Sequence, residues 1–248
     1  MAKSSGLGDH LIISGRPVSG DINSVGSIAC PRGVWENTGI NKSAIERQYL
    51  NRDGLINFVA YFNDVAGAAH VTLSPLPTTD ALVTYLHGIT LGNPAACLVA
   101  KQIGYDPTRG NDGSLTFAVA AQGNAYGIEW CQQLTAGQRA DTTATNGTAL
   151  DGGASSAFGA QFYLNVESVT GTSVTVAIED SADNVSFATV SGMTFTAVTS
   201  AAAPTWQRLA TANNATIRRY VRVVTTGTFT EALFAVAMCR NETAGIVF

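Results

Sequence analysis

AACLVAKQIGYDPTRGNDGSLTFAVAAQGNAYGIEWCQQLTAG, residues 95–137, decides the fold class. Two apolar runs, 96–103 and 114–121, flank a turn-rich link that holds Asp106-Pro107 and Asp112-Gly113. Asp-Gly ahead of an alternating run signals a β-hairpin, because Gly accepts a positive φ and the Asp side chain supports the turn. A second break, Gln122-Gly123-Asn124, leads into a third candidate strand, 125–134. The stretch predicts a three-strand antiparallel meander. It carries almost no residues of the kind that do chemistry.

Upstream, 10–13, 22–29, 34–38 and 55–62 read as strands. In the last of these Ile56, Phe58, Ala60 and Phe62 alternate with Leu55, Asn57, Val59 and Tyr61, so both faces are largely apolar and a strand covered on both sides is expected. Between them, 39–54 (GINKSAIERQYLNRDG) is the most charged segment, with Lys42, Glu46, Arg47, Arg52 and Asp53. Such a segment inside a hairpin is either a solvated tip or a partner-binding loop, and both readings stay open. Residues 63–77 predict a helix capped by Asn63 or Asp64 and ended by Pro75 and Pro77, with Val65, Ala69, Leu73 and Leu76 on one face. Residues 81–86 follow as a strand.

Downstream, 135–157 is rich in Thr, Ala, Gly and Ser without periodicity, which predicts a linker. Seven short strands then follow at 158–166, 173–179, 188–190, 193–197, 206–210, 220–225 and 231–240. Turns are expected at Thr170-Gly171-Thr172 and Thr226-Gly227-Thr228, among others. This spacing points to a β-sandwich or jelly roll. The fold class expected is mainly β, a sheet with one helix packed on it followed by a C-terminal β-sandwich or jelly roll. The boundaries expected are 1–140, a linker at 141–156, and 157–248.

The chain has 248 residues, of which 46% are hydrophobic and only 13% charged. The charged share is about half the usual one. That composition suits a subunit buried in an assembly. A net charge of −4 disfavours nucleic-acid binding through a basic face. Arg218, Arg219 and Arg222 form the one local basic cluster, and salt bridges or a solvated face explain it better than a phosphate track. The N-terminal MAKSSGLGDH lacks an apolar core, so a secretory signal is not expected. No apolar run approaches the roughly 18 residues that a membrane span needs. Synthesis in the cytoplasm makes Cys30, Cys97, Cys131 and Cys239 buried free thiols rather than disulfides.

Chemistry-bearing patterns are absent from the sequence. His10, His70 and His87 lack ligand spacing, and a structural role is favoured for His70. Glu129 and Glu179 could meet across strands, but nothing in the sequence brings them together. Asp180–Asn184 has the oxygen density of a weak calcium loop, and an Asx-rich turn is the favoured reading. Trp206, Phe187 and Phe195 could form a glycan-facing surface, with core packing favoured. No catalytic, cofactor or metal residues are assigned.

Several collinear segments carry a family resemblance. They are MAKSSGLGD, TGINKSAIERQYLNRDGLINFVAYFN, LSPLPTTDALVTYLHG, residues 91–137, FTAVT and RRYVRVVTTGTF. Together they resemble the major tail (tail tube) proteins of long-tailed actinobacteriophages. The resemblance implies a tail-tube-type β-sandwich or barrel with one flanking helix for the first domain, in a virion subunit made in the bacterial host cytoplasm and located in the tail. Six copies would close a ring, and rings would stack into a tube that conducts DNA without binding it specifically. Other tail proteins (tape measure, terminator, baseplate or tip) would be its partners, with no cofactor and no membrane. The segment holding Lys42, Glu46, Arg47, Tyr49, Arg52 and Asp53 matches the loop that reaches the neighbouring ring. Residues 1–9 would be an arm ordered by assembly, and 157–248 would decorate the outside. A capsid decoration protein, or a carbohydrate-binding module using Trp206, are the alternatives.

Overall fold

The computed structural model describes residues 5–243, so the first four residues of the expected arm lie outside the described residues. The chain is mainly β, as the alternating sequence predicts. The first strands are β1 (His10–Ile13), β2 (Arg16–Pro17), β3 (Ile22–Ala29), β4 (Arg32–Glu36), β5 (Arg47–Arg52) and β6 (Leu55–Tyr61). A short helix, α1 (Ala69–Leu73), precedes β7 (Ala81–Leu86), β8 (Pro94–Arg109), β9 (Leu115–Gly123) and β10 (Glu129–Gln133). Then come β11 (Arg139–Asp141), β12 (Leu150–Asp151), β13 (Ala160–Ser181), β14 (Ala188–Thr194), β15 (Val198–Thr199), β16 (Thr205–Ala210) and β17 (Tyr220–Arg240).

Two compact units share this chain in alternation. The first takes the described residues up to Gly20, then Leu82–Cys97, then the described residues from Glu129 onward. The second takes Asp21–Ala81 and Leu98–Ile128. The sequence boundaries at 140 and 157 follow composition, whereas the observed units are each assembled from separated segments.

In the first unit the strand order is β14-β13-β17-β10-β8-β7-β1-β2, with β8 represented by its first residues. β13 and β17, 22 and 21 residues long, pair from Ala160↔Arg240 to Ser181↔Tyr220. The two Thr-Gly-Thr segments expected to be turns lie inside these continuous strands. The ladder shifts register between Val166 and Ser168 and on both sides of Gly171, so Gly171 sits at a bulge that bends the pair without reversing it, and Gly227 lies close by opposite Val174. Gly171 and Gly227 have φ of 129° and 124°. A Cβ on Gly171 would stand 2.6 Å from the Phe229 Cα, so no other residue fits this close approach.

Both arms of the bent pair line one core. Phe162, Leu164 and Val166 come from before the bend in β13, and Val174, Val176 and Ile178 from after it. Val221, Val223, Phe234, Val236 and Met238 of β17 join them. The expected linker runs alongside β17. Asn146 bridges Val224, Leu150↔Val221 and Asp151↔Tyr220 pair, and Ser156 bridges Ile217. Backbone pairing needs no side-chain periodicity, so a segment without a pattern can still be held as structure.

In the second unit the order is β3-β6-β9-β8, and β4 with β5 forms a separate two-stranded sheet. β8 and β9 form the hairpin that the sequence predicts. At its turn the Ser114 N–H donates to Asp112 Oδ1 at 3.0 Å and Gly113 has φ 89°. The third meander strand is a correction. β10 pairs with the first residues of β8 (Glu129↔Cys97 to Gln132↔Pro94), not with β9. At the break the Asn124 N–H donates to the Val99 carbonyl, so the chain does not turn back on β9.

β6 buries Ile56, Phe58 and Ala60 and half-buries Leu55, Asn57 and Val59. The expected helix over 63–77 shrinks to five residues. Its first amide, Ala69 N–H, donates to Asp21 Oδ2 at 2.9 Å, and Asn63 Nδ2 donates to Asp21 Oδ1 at 2.8 Å. Asn63 Oδ1 instead accepts from Val65 N–H. Ala69 and Leu73 are buried while Val65 and Leu76 are exposed, because Gly67 and Leu76 take positive φ and interrupt the helix on both sides.

Candidate assembly surface

The charged segment 39–54 does not form a simple loop. Its second half is β5, paired antiparallel with β4 through Glu36↔Arg47, Trp35↔Gln48, Val34↔Tyr49 and Arg32↔Arg52. Asn37 N–H donates to the Glu46 carbonyl at 3.1 Å, and Glu46 N–H donates to Thr38 Oγ1 at 3.0 Å, closing the neck of the 37–46 connection.

Every residue of β4 is exposed, as is every residue of β5 except half-buried Arg52. The exposed side chains include large apolar ones. Trp35 is 57% and Tyr49 73% accessible, and Val34, Ile40, Ile45 and Leu50 are exposed too. An isolated two-stranded ribbon is at best marginally stable in water. Exposed apolar clusters of this kind mark interaction surfaces.

The six residues singled out by sequence occupy three places on this hairpin. Lys42 and Glu46 pair at the tip at 3.0 Å, a solvated bridge of about 0–1 kcal/mol. Arg47 and Tyr49 lie on the ribbon, where the Arg32 guanidinium stands 5.6 Å from the Tyr49 ring centre. Arg52 and Asp53 are at the base, and Asp53 Oδ2 accepts from Gln122 Nε2 of β9 at 2.6 Å. Sequence reasoning missed Val34, Trp35, Ile40, Ile45 and Leu50. Their apolar character was visible, but it reads as core until exposure is known.

The remaining chemical candidates find structural roles. His70 Nδ1 meets the Tyr105 hydroxyl, and its ring centre lies 4.2 Å from that of Phe62. His87 Nδ1 is 3.0 Å from Asp9 Oδ1, which also accepts the Gly88 N–H at 2.9 Å, while Asp9 Oδ2 accepts the Tyr85 hydroxyl. Burial, and then Asp9, push Tyr85 up to about 12. Asp9, the last residue of the expected arm, is thus tied down.

Glu129 and Glu179 each meet an arginine. Glu129 is buried beside Arg208, 3.2 Å away, whose Nε donates to the Tyr163 hydroxyl at 3.0 Å. Glu179 takes Arg222 at 2.6 Å. Arg218 pairs with Asp180 and Arg219 with Asp151, so the basic cluster is a set of ion pairs. Asp183 Oδ1 accepts from Ser181 Oγ and from the Val185 and Ser186 amides, the bonding of an Asx turn. Among the described residues no group of three or more His, Cys, Asp and Glu could hold a metal.

Phe195 is core, Phe187 lies under Arg222 at 3.9 Å, and Trp206 is half-buried in β16. Among the described residues no helix is long and apolar enough to cross a membrane.

No family model and no curated protein matches this chain. Solved structures give similarities. The Dit protein of phage SPP1, described as a paradigm of the hub adsorption apparatus in phages infecting Gram-positive hosts, is similar over 93% of this chain and 98% of its own. The identity is 11% and the TM-score 0.32. A chain of the phage p2 baseplate in its activated conformation with strontium is similar over 95% of this chain and 99% of its own. Its identity is 8% and its TM-score 0.35, and the calcium form gives the same values.

Proposed function

We propose that this protein is a structural subunit of a phage tail, of the tail tube type, whose copies close into rings and stack. The observation that carries the reading is the β4–β5 hairpin, a separate two-stranded sheet that exposes Trp35, Tyr49, Val34 and Leu50. A monomer gains nothing from such a ribbon, whereas an assembly covers it. The collinear resemblance of 38–63 and 91–137 to tail tube proteins supports the same reading. In it the chain is a building block and not a catalyst, and Lys42, Glu46, Arg47, Tyr49, Arg52 and Asp53 lie at the contact with a neighbouring ring. DNA passes through the tube transiently, and other tail proteins meet its ends.

Electron microscopy of the purified full chain tests this. Stacked rings or tubes are expected. Persistent monomers at high concentration, or trimers that bind phage heads, would overturn it.

A further inference from the structure

Three of the four cysteines lie on neighbouring strands of the first unit: Cys97 on β8, Cys131 on β10 and Cys239 on β17. β10 and β17 pair antiparallel through Gln132↔Met238 and Gln133↔Ala237. One step further along that register sets Cys131 directly opposite Cys239, on the same face. The Leu134 N–H donates to the Val236 carbonyl at 2.8 Å and the Val236 N–H to Thr135 Oγ1 at 3.0 Å, so Leu134 and Val236 stand at a hydrogen-bonded position of the ladder with one of its two backbone bonds made. Such positions alternate with non-hydrogen-bonded ones along an antiparallel ladder. The Gln133 backbone turns its N–H to Asn93 instead, as the alternation requires. Cys131 and Cys239 therefore occupy a non-hydrogen-bonded pair, where the Cα atoms approach to about 4.5 Å and side chains are closest. A disulfide spans Cα separations of about 4.4–6.8 Å. Cys97 faces Glu129 and is only diagonal to Cys131.

We propose that Cys131 and Cys239 are an oxidation site that closes a cross-strand disulfide between β10 and β17 when the protein meets a peroxide. Cys239 is half-buried and Cys131 buried, so Cys239 meets the oxidant first. Its sulfur attacks one peroxide oxygen, the O–O bond breaks, the thiol proton leaves with the other oxygen as water, and a sulfenic acid remains. The Cys131 sulfur then attacks the sulfenic sulfur. The S–S bond forms, the S–O bond breaks, and the hydroxyl leaves with the Cys131 proton as a second water. Two thiols are oxidised to one disulfide, and one hydrogen peroxide is reduced to two waters. Burial, then the thiols of Cys239 and Cys97, hold the Cys131 thiol well above its ordinary value, so the second step is slow.

The experiment exposes the full wild-type chain to hydrogen peroxide, quenches, alkylates the free thiols, and maps tryptic peptides without reduction. Cleavage leaves Cys131 in 110–139, Cys239 in 223–240 and Cys97 in 53–101, so each pairing is distinguishable. The expected product is 110–139 joined to 223–240, with a raised thermal midpoint that reductant reverses. Cys97→Ser retains the link. A bond from Cys97, over-oxidation of Cys239 without any S–S bond, or four alkylated thiols would each overturn the proposal.

Discussion

Gly227 pairs with Val174 in the β13–β17 ladder, and a Cβ added to it would stand 2.4 Å from the carbonyl oxygen of the preceding residue, Ser173. The opposing atom is backbone and cannot swing aside. With φ at 124°, the position also excludes L side chains on conformation alone. Gly227→Ala is expected to cost about 2–4 kcal/mol, read as a lowered thermal midpoint. The exposed neighbour provides the control, since Thr226→Ala should stay within about 0.5 kcal/mol.

Under the proposed function, variants of the β4–β5 hairpin separate folding from assembly. Trp35→Asp and Tyr49→Asp alter side chains that bury little in the single chain, so stability should move by no more than about 0.5 kcal/mol. Charge reversal at Glu46 or Arg47 should behave likewise. All four are expected to shorten or abolish tubes in electron micrographs. Tubes of normal length from these variants would remove the hairpin from the contact.

Glu129 and Arg208 form a buried ion pair. Arg208→Met leaves the carboxylate in the interior without its arginine, at a cost of about 3–5 kcal/mol. Replacing both by Met removes both desolvation penalties, so the double variant should be distinctly more stable than Arg208→Met. Denaturant unfolding of the three proteins measures the difference. Equal stability of single and double variants would show that the pair is not coupled.

Tyr85 gives the alkaline behaviour a direction. Its folded value, about 12, lies above the ordinary 10, chiefly through burial and then through Asp9. Between those values the unfolded chain ionises while the folded chain holds its proton. This contribution is complete below pH 10 and is lost as pH rises toward 12. Partial exposure of the ring limits it to roughly 1 kcal/mol. Tyr85→Phe should flatten the decline of the thermal midpoint over that window.

The placement of β10 to β12 predicts how fragments behave. Fragment 157–248 lacks Leu134, which is part of the core, and the strands that pair with β17 at 132–133, 139–141 and 150–151. It should be less stable than 129–248 by several kcal/mol, since one fully buried Leu alone contributes about 2–5 kcal/mol. Circular dichroism melts of both fragments check this.

Local signals in the sequence were reliable where the structure they specify is local. Asp112-Gly113 makes its turn because both residues act within the turn itself. The alternation of Val174, Val176 and Ile178 places them in the core, and the arginines of 218–222 find carboxylates. The same local reading misjudged Thr-Gly-Thr at 170–172 and 226–228. A glycine with positive φ serves a reversal and a bulge equally well, and the partner strand across the ladder decides between them. It also misplaced the helix cap, because Asp21 reaches Ala69 from 48 positions away.

The sequence by itself determined a mainly β chain, marked 39–54 as its most charged segment, and offered no recognisable catalytic pattern. Those features follow from side-chain period, composition and turn chemistry, all of which act over a few residues. Only the tertiary structure decided that each unit is assembled from separated segments of the chain, that β10 joins β8 and not β9, that the expected linker lies along β17, and that Trp35 and Tyr49 face solvent. Each of these depends on which backbone edge meets which across long separations, and on whether an apolar side chain finds a covering layer. Composition is blind to both, because the same alternating strand serves any edge that offers a matching register.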